Sequence, residues 1–166
     1  MASPNPRSDL PTSAQRVSDA ARDLGLDIEV RTFPEGTRTA EDAARAIGVE
    51  VGQIVKSLVF LADGQPVVCL VSGVNRVDTA RLAESAGASR IGRADADTAR
   101  AATGYAVGGV PPFGHAQEIT VYCDRDLLTY DIVWAAAGTP THVFSAEPNA
   151  LATACNARVV DIKELP

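Results

Sequence analysis

The stretch QIVKSLVFLADGQPVVCLVS (residues 53–72) contains two continuous apolar runs that are separated by Asp63-Gly64. An Asp-Gly pair between two apolar runs is typical of a two-residue β-hairpin turn. Because neither run alternates strictly between polar and apolar residues, we expect both strands to be buried on both faces. The stretch therefore predicts a hairpin of two central strands, at 53–62 and 65–72.

Helix and strand patterns alternate irregularly on both sides of this hairpin. Apolar spacing and capping residues predict helices at 13–25, 39–48, 78–86, 94–103 and from Pro148 onward. Further strands are predicted at 27–33, 118–123, 132–137, 141–144 and 158–162. This order combines hairpins with helices and does not repeat a strict strand–helix unit. It favours an α+β fold, a single domain with a mixed, mostly antiparallel central sheet flanked by helices, over a doubly wound fold.

Length and composition fit one folded domain with a substantial core. The chain has 166 residues, of which 46% are hydrophobic. Residues 1–11 are rich in proline and serine and are predicted to be a disordered tail, which leaves 12–166 as the domain. No apolar segment fits a signal peptide or a membrane span, so we expect a cytoplasmic protein that has no membrane partner.

Several functional classes are disfavoured by the composition. The net charge of −6 argues against a broad nucleic-acid-binding surface, although a small basic site for one nucleic-acid end stays open. The cysteines Cys69, Cys123 and Cys155 form no C-x-x-C pair, which favours reduced thiols over disulfides or a zinc site. The histidines His115 and His142 belong to no metal-binding motif, so we expect no metal.

Lys56 is an isolated cation inside the first apolar run. In a strand it shares one face with Ile54, Leu58 and Phe60. An ammonium group on an apolar face is costly unless it is paired or reaches water. Two interpretations follow: the side chain extends to solvent at the strand end, or it waits in a cleft for an anionic or carbonyl group, most plausibly a phosphate.

The segment GYAVGGVPPFGH (residues 104–115) combines glycines and prolines between a helix pattern and a strand pattern. Glycine allows positive φ and close approach, whereas proline fixes φ and removes a donor. The segment is either an ordinary connector or a backbone path that is fixed so that it can face a ligand.

Other polar residues give weaker signals. His115 ends the glycine-rich segment and is either a ligand contact or a surface residue, and His142 is interpreted as structural. Asp131 is interpreted as a capping or turn residue, with a contact to a substrate amine as the alternative. Cys69 and Cys123 lie in apolar strand patterns and are expected to be buried side chains rather than nucleophiles. No nucleophile elbow or P-loop is present, so covalent catalysis has little support.

Taken together, these motifs resemble the YbaK/ProX-type aminoacyl-tRNA editing domain, which also occurs as an insertion in bacterial prolyl-tRNA synthetases. The resemblance extends from about residue 27 to residue 162. Its motifs, in chain order, are Ile54-Val55-Lys56-Ser57-Leu58, Val71-Ser72-Gly73, Gly108-Gly109-Val110-Pro111-Pro112-Phe113-Gly114, Tyr130-Asp131 and Ala137-Gly138. The lysine within a strand and the G-x-x-x-P loop together are specific for this family, whereas either motif alone is a weak signal.

The resemblance implies roles for individual residues. Lys56 matches the family's pocket lysine, which holds the terminal phosphate or the aminoacyl group. Gly108 and Pro112 match the ends of the glycine-proline motif, and the backbone between them, with Gly109, would line the amino-acid pocket. Lys56, Gly108, Gly109 and Pro112 are therefore the predicted catalytic residues. The predicted substrate-binding residues are Ser57, Ser72, Val110, Pro111, Gly114, His115, Asp131 and Gly138. Ser57 stands where relatives carry Thr or Asn, which leaves the polarity of the pocket open.

The function that the resemblance implies is hydrolysis of the ester bond of mischarged tRNA by a freestanding deacylase. Water would attack the ester without a metal, an organic cofactor or a covalent intermediate. The expected partners are the acceptor end of a mischarged tRNA and an aminoacyl-tRNA synthetase, and the expected assembly is a monomer or a weak homodimer. Arg76, Arg81, Arg90 and Arg93 are proposed as a basic rim. A non-catalytic module that binds tRNA ends, nucleotides or a synthetase is the alternative, and a thiol-dependent hydrolase is a third hypothesis.

Overall fold

A computed structural model describes residues 10–33 and 39–166, and the hairpin predicted at 53–72 forms its centre. Strand β2 (Val55–Ala62) and strand β3 (Gln65–Ser72) pair antiparallel, with Lys56 opposite Val71. Asp63 and Gly64 form the turn, and both have positive φ, as a tight hairpin turn requires. Strand β3 is almost entirely buried, as expected. Strand β2 is only half-buried over much of its length, because part of its surface lines an open cleft.

The strands belong to two sheets. The larger sheet also contains β4 (Ile91–Arg93), β5 (Thr120–Asp124) and β8 (Arg158–Val160), and its order is β4-β2-β3-β5-β8. The pairs β3–β5 and β5–β8 are parallel, whereas β2 pairs antiparallel with both of its neighbours. The smaller sheet is antiparallel and contains β1 (Arg31–Thr32), β7 (His142–Ala146) and β6 (Val133–Ala136). A parallel bridge between Ile54 and Trp134 connects the two sheets.

Several of the helices begin at residues whose side chains cap the first turn, and two of these caps, Thr39 and Asp78, were expected from the sequence. The helices are α1 (Thr12–Asp23), α2 (Ala40–Ile47), α3 (Thr79–Ala86), α4 (Ala96–Thr103) and α5 (Pro148–Ala154). Thr39, Asp78 and Asp95 accept backbone N–H groups of the first turns of α2, α3 and α4. Proline occupies the first turn of α5, where its missing N–H costs nothing. All predicted helices are present to within two residues.

Two apolar clusters pack on the two faces of the larger sheet. One contains Val55, Val68 and Leu70 and extends to α1, the loop at 104–115 and the smaller sheet. The other contains Phe60, Cys69 and Val71 and is covered by Leu82 and Ile162. Consecutive residues of β3 belong alternately to the two clusters, as expected for a strand that is buried on both faces. A third cluster joins α2 to both sheets through Ala43, Ala44, Ile54, Trp134 and Val143.

The predicted α+β class with a mixed sheet is confirmed, with local differences. The strand predicted at 27–33 is reduced to Arg31–Thr32, although Ile28 and Val30 still pack on the core. Strand β4 was not predicted, and the sheet divides into two. Residues 1–9 of the predicted tail lie outside the described residues. No helix in the described ranges is long and apolar enough to cross a bilayer.

Candidate active site

A cleft of about 730 Å³ opens between α2, the first residues of β2, the β3–α3 loop, the loop at 104–115 and strand β6. Its apolar wall is the third cluster, with Ile54, Trp134 and Val143. Its polar lining consists of Thr39, Glu41, Lys56, Ser57, Asn75, Arg76 and Thr139. A concave, mostly apolar cavity with a few converging polar groups is the usual form of a small-molecule site.

Lys56, the second residue of β2, reaches this cleft. Its side chain is half-buried, and Nζ donates a hydrogen bond to the backbone carbonyl of Asn75. Within the described ranges no carboxylate lies at ion-pair distance from Nζ. Burial lowers the pKa of Lys56, and this effect outweighs the opposing charge of Glu41. Arg76 lowers the pKa further, whereas Asp124 raises it. Lys56 is therefore a partly buried cation that has N–H donors not used by the described residues.

Ser57 lines the same cleft beside Lys56. Its Oγ atom is buried and has no hydrogen-bond partner among the described residues. A buried hydroxyl without a partner costs free energy, so such an atom is usually satisfied by a ligand or by water. Ser57 therefore holds an unused hydrogen-bonding group at the wall of the cleft.

The loop at 104–115 reaches the cleft with its glycine portion. Val107, Gly108 and Val110 line the cavity, and Gly108 has a φ of 92°, which only glycine adopts without strain. Gly109 lies just behind them, and its N–H donates to the carbonyl of Ala106 at 2.9 Å. A Cβ atom on Gly109 would lie 2.8 Å from the backbone of Gly138. Close contact between two backbones therefore fixes this part of the loop.

The proline portion of the same loop packs into the protein. Pro111 and Pro112 are buried, and the ring of Phe113 packs against that of Phe144 in a tilted arrangement with ring centroids 5.6 Å apart. His115 is half-buried, its Nε2 lies 2.8 Å from the carbonyl oxygen of Pro111, and burial lowers its pKa. Neither the two prolines nor His115 lines the cleft.

Four other predicted site residues also lie outside the lining. Gly138 supports Gly109 from behind, and its φ of 94° and the carbonyl of Ser13 leave no room for a side chain. Ser72 is buried, and its Oγ donates to the carbonyl of Gly52 at 2.8 Å. Gly114 is exposed and packs near Ala20. Asp131 is exposed two residues before β6 and does not line the cavity. Of the twelve predicted residues, the structure brings Lys56, Ser57, Gly108 and Val110 together in the lining.

Sequence reasoning missed several lining residues. Glu41 stands in the first turn of α2, Trp134 lies in β6, and Thr139 lies in the turn between β6 and β7. Asn75 follows the Ser72-Gly73 motif by two residues, which is the one available signal for it. Of the four proposed rim arginines, only Arg76 lines the cleft.

The cysteines have no place in this site. Cys69 and Cys123 are buried in the two cores, as the sequence predicted, and burial raises the pKa of both thiols to about 12. Across residues 10–33 and 39–166, no cluster of three histidine, cysteine, aspartate or glutamate side chains forms a metal site.

The chain is similar in sequence and in structure to several known proteins. The sequence family described as the aminoacyl-tRNA editing domain matches residues 34–154. A crystal structure described as a candidate trans-editing enzyme for prolyl-tRNA synthetase superimposes with a TM-score of 0.89 at 44% identity, covering 95% of this chain and 100% of that one. EbsC of Enterococcus faecalis, named as a candidate Cys-tRNA(Pro)/Cys-tRNA(Cys) deacylase, is 27% identical over 78% of this chain and 80% of its own length. A proline–tRNA ligase of Citrifermentans bemidjiense is 33% identical over 65% of this chain, and the matched part is only 19% of that ligase.

Proposed function

Because this chain belongs to the aminoacyl-tRNA editing domain family, we propose that it is a freestanding deacylase that hydrolyses the ester bond of mischarged tRNA. The observation that carries the proposal is the position of Lys56, which is unpaired among the described carboxylates, in a cleft whose loop is the glycine-proline motif. The structural match along the full length of a candidate trans-editing enzyme supports action in trans.

The lining of the cleft fits the chemistry of an aminoacyl-adenosine end. Such a ligand combines an anionic phosphate, an α-ammonium group, an ester carbonyl and a side chain. Lys56 and Arg76 supply positive charge for the phosphate or the ester carbonyl, and Glu41 supplies negative charge for the ammonium group. The apolar wall formed by Ile54, Trp134 and Val143 is suited to an apolar part of the ligand.

The proposed chemistry needs orientation rather than a protein nucleophile. An α-aminoacyl ester is already activated, and the neighbouring ribose hydroxyl can position water. The water oxygen bonds to the ester carbon, the bond to the ribose oxygen breaks, and that oxygen takes the proton that the attacking water gives up, so the products are the free amino acid and a tRNA with a free ribose hydroxyl. Lys56 would stabilise the developing oxyanion or anchor the phosphate, since a single positioned donor contributes about 3–4 kcal/mol in known oxyanion holes.

The backbone of the loop supplies the other candidate donors. The N–H groups of Gly108 and Val110 make no hydrogen bond to another described residue, whereas the N–H of Gly109 donates to the carbonyl of Ala106. Pro111 and Pro112 have no N–H at all. We therefore assign donation to Gly108 and Val110 and a spacing role to Gly109, whose lack of a side chain lets the loop rest on Gly138.

Replacement of Ser57 by alanine is expected to separate stability from activity. The variant loses a buried hydroxyl that has no partner among the described residues, so the free energy of unfolding should stay equal or rise slightly. If Oγ bonds the substrate, the loss of one neutral hydrogen bond should lower kcat/KM by roughly three- to tenfold. Thermal unfolding and single-turnover deacylation measure the two effects. A clear fall in melting temperature with unchanged kcat/KM would contradict this assignment.

Substitution of Cys69 and Cys123 by alanine is expected to leave deacylation unchanged. Both thiols are buried, and a pKa of about 12 leaves almost no thiolate at neutral pH. Each substitution should lower the free energy of unfolding only slightly, because it leaves a small cavity. A large loss of kcat in a variant that remains folded would instead support a thiol-dependent hydrolase.

The proposal can be tested with the chain's single tryptophan, Trp134, because it lies in the cleft wall. We expect its fluorescence to change on binding a hydrolysis-resistant analogue in which an amide replaces the ester of aminoacyl-adenosine. Mischarged tRNA should then be deacylated with many turnovers. A saturable fluorescence change together with an unchanged ester half-life would favour the non-catalytic binding module.

A further inference from the structure

The side chain of Asn75 bridges two carboxylates. Its Nδ2 donates to Asp124 Oδ2 at 2.8 Å and to Asp126 Oδ2 at 2.9 Å. The backbone carbonyl of the same residue accepts a hydrogen bond from Lys56 Nζ. Asn75 therefore connects the lysine in the cleft with two acids at the end of β5.

Asp124 is a buried carboxylate that accepts several of the hydrogen bonds in this group. Only 1% of its surface is exposed. Besides Asn75, it accepts the N–H of Ser72 at 3.1 Å and the N–H of Asp126 at 3.0 Å. Asp126 in turn accepts from Lys163 Nζ at 2.7 Å. A buried carboxylate with several N–H donors holds its neighbours in one geometry, because each unmade bond would leave charge without a partner.

The backbone around Asn75 is held from both sides. The N–H of Gly73 donates to the carbonyl of Ile54 at 2.8 Å, and the carbonyl of Arg76 accepts from the N–H of Glu164 at 2.8 Å. A Cβ atom on Gly73 would lie 2.2 Å from the carbonyl oxygen of Val51. These backbone bonds fix the two ends of the loop at Gly73 and Arg76, and the side-chain bonds of Asn75 fix the residue between them, whose carbonyl binds Lys56.

We propose that Asn75 and Asp124 are positioning residues that fix the ammonium group of Lys56 in the cleft. One of its three N–H donors is bound by the Asn75 carbonyl, which leaves two for the substrate. The negative charge of Asp124 also opposes the effect of burial on Lys56 and helps to keep it protonated, together with Glu41 and against Arg76. This inference rests on the proposed function, because it explains how the cleft lysine is held for that reaction.

A double-mutant cycle tests the inference. Asn75→Ala is expected to lower kcat by about tenfold or more with little change in KM, because a displaced ammonium loses its orientation. In a Lys56→Met background the same change should lower kcat less than about twofold, because the group that it positions is gone. Asn149→Ala is the matched control, since Asn149 Nδ2 also donates to a carboxylate, that of Glu147, on the exposed cap of α5. Equal losses in both backgrounds would overturn the inference.

A second measurement does not depend on activity. The chain contains only two lysines, Lys56 and Lys163, so the ε-methylene signals in a lysine-labelled NMR spectrum are few and assignable. We expect the two ε-protons of Lys56 to be distinct in the wild type and to merge in Asn75→Ala and in the near-isosteric Asp124→Asn. Distinct signals in both folded variants would overturn the inference. If the wild type hydrolyses no ester, the proposed function fails and this spectrum alone decides how Lys56 is held.

Discussion

Lys56→Met should slow the hydrolysis of mischarged tRNA by about 10²- to 10³-fold, the loss seen when one oxyanion donor is removed from a preorganised site. Methionine keeps most of the apolar stem of the side chain but removes the charge and all three donors. Because Lys56 is half-buried and pairs with no described carboxylate, its removal leaves only the Asn75 carbonyl without a partner. The fold should therefore survive, and the loss should appear in kcat of a single-turnover assay.

Two companion variants make this result specific. Lys56→Arg keeps the charge but changes the shape of the donor, so partial activity is expected. Arg22→Met removes an exposed cation that pairs with Asp19 on α1, away from the cleft, and should leave hydrolysis within about twofold of the wild type. Full activity of Lys56→Met would remove the lysine from the reaction.

Gly109→Ala is expected to lower kcat/KM by about 10²-fold, since misplacement of a catalytic loop by about 1 Å can cost that much. The new Cβ atom would lie 2.8 Å from the backbone of Gly138 and of Thr139, which cannot rotate away as a side chain could. The loop must move toward the cleft or Gly138 must shift against α1. Either movement disturbs Gly108 and Val110 and should also cost about 1–3 kcal/mol of stability.

Gly92→Ala is the matched control for this effect. Gly92 lies in β4 and has no heavy atom within 4 Å of the position of an added Cβ. The substitution should change neither the melting temperature nor kcat/KM appreciably. If Gly109→Ala behaved like Gly92→Ala in both assays, the close contact with Gly138 would have no role in shaping the site.

The central hairpin could be predicted from the sequence because its signal is local. Asp63-Gly64 sets the turn, and the register then follows from the pairing of neighbouring residues. The face of Lys56 follows in the same way from the period of two along β2. Strand β4 could not be recognised, because Ile91–Arg93 is three residues long and forms only by pairing with β2.

The cleft itself could not be predicted, because its walls come from distant parts of the chain. Glu41 and Trp134 approach Lys56 only after α2 and the smaller sheet pack on β2. Motif spacing also does not show which side of a loop faces the ligand. For this reason Pro112 and His115 entered the predicted site together with Gly108, although the structure buries the proline and turns His115 toward Pro111.

The net charge of −6 is compatible with a tRNA substrate only if the contact is small. Lys56 and Arg76 are the cations of the described lining, whereas Arg81, Arg90 and Arg93 do not reach it. A short anionic end can be held by two cations, but an extended duplex would need a broad basic surface. As part of the proposed function, we therefore propose that the cleft takes only the acceptor end and that a partner such as a synthetase delivers the tRNA.

The most direct measurement is the release of amino acid from tRNA(Pro) charged with alanine, cysteine, serine, threonine or proline, at an enzyme concentration far below that of the ester. The account predicts that one or two of the noncognate esters are hydrolysed over many turnovers and that prolyl-tRNA(Pro) is spared. The same ester half-life with and without the folded protein, for every member of the panel, would contradict it.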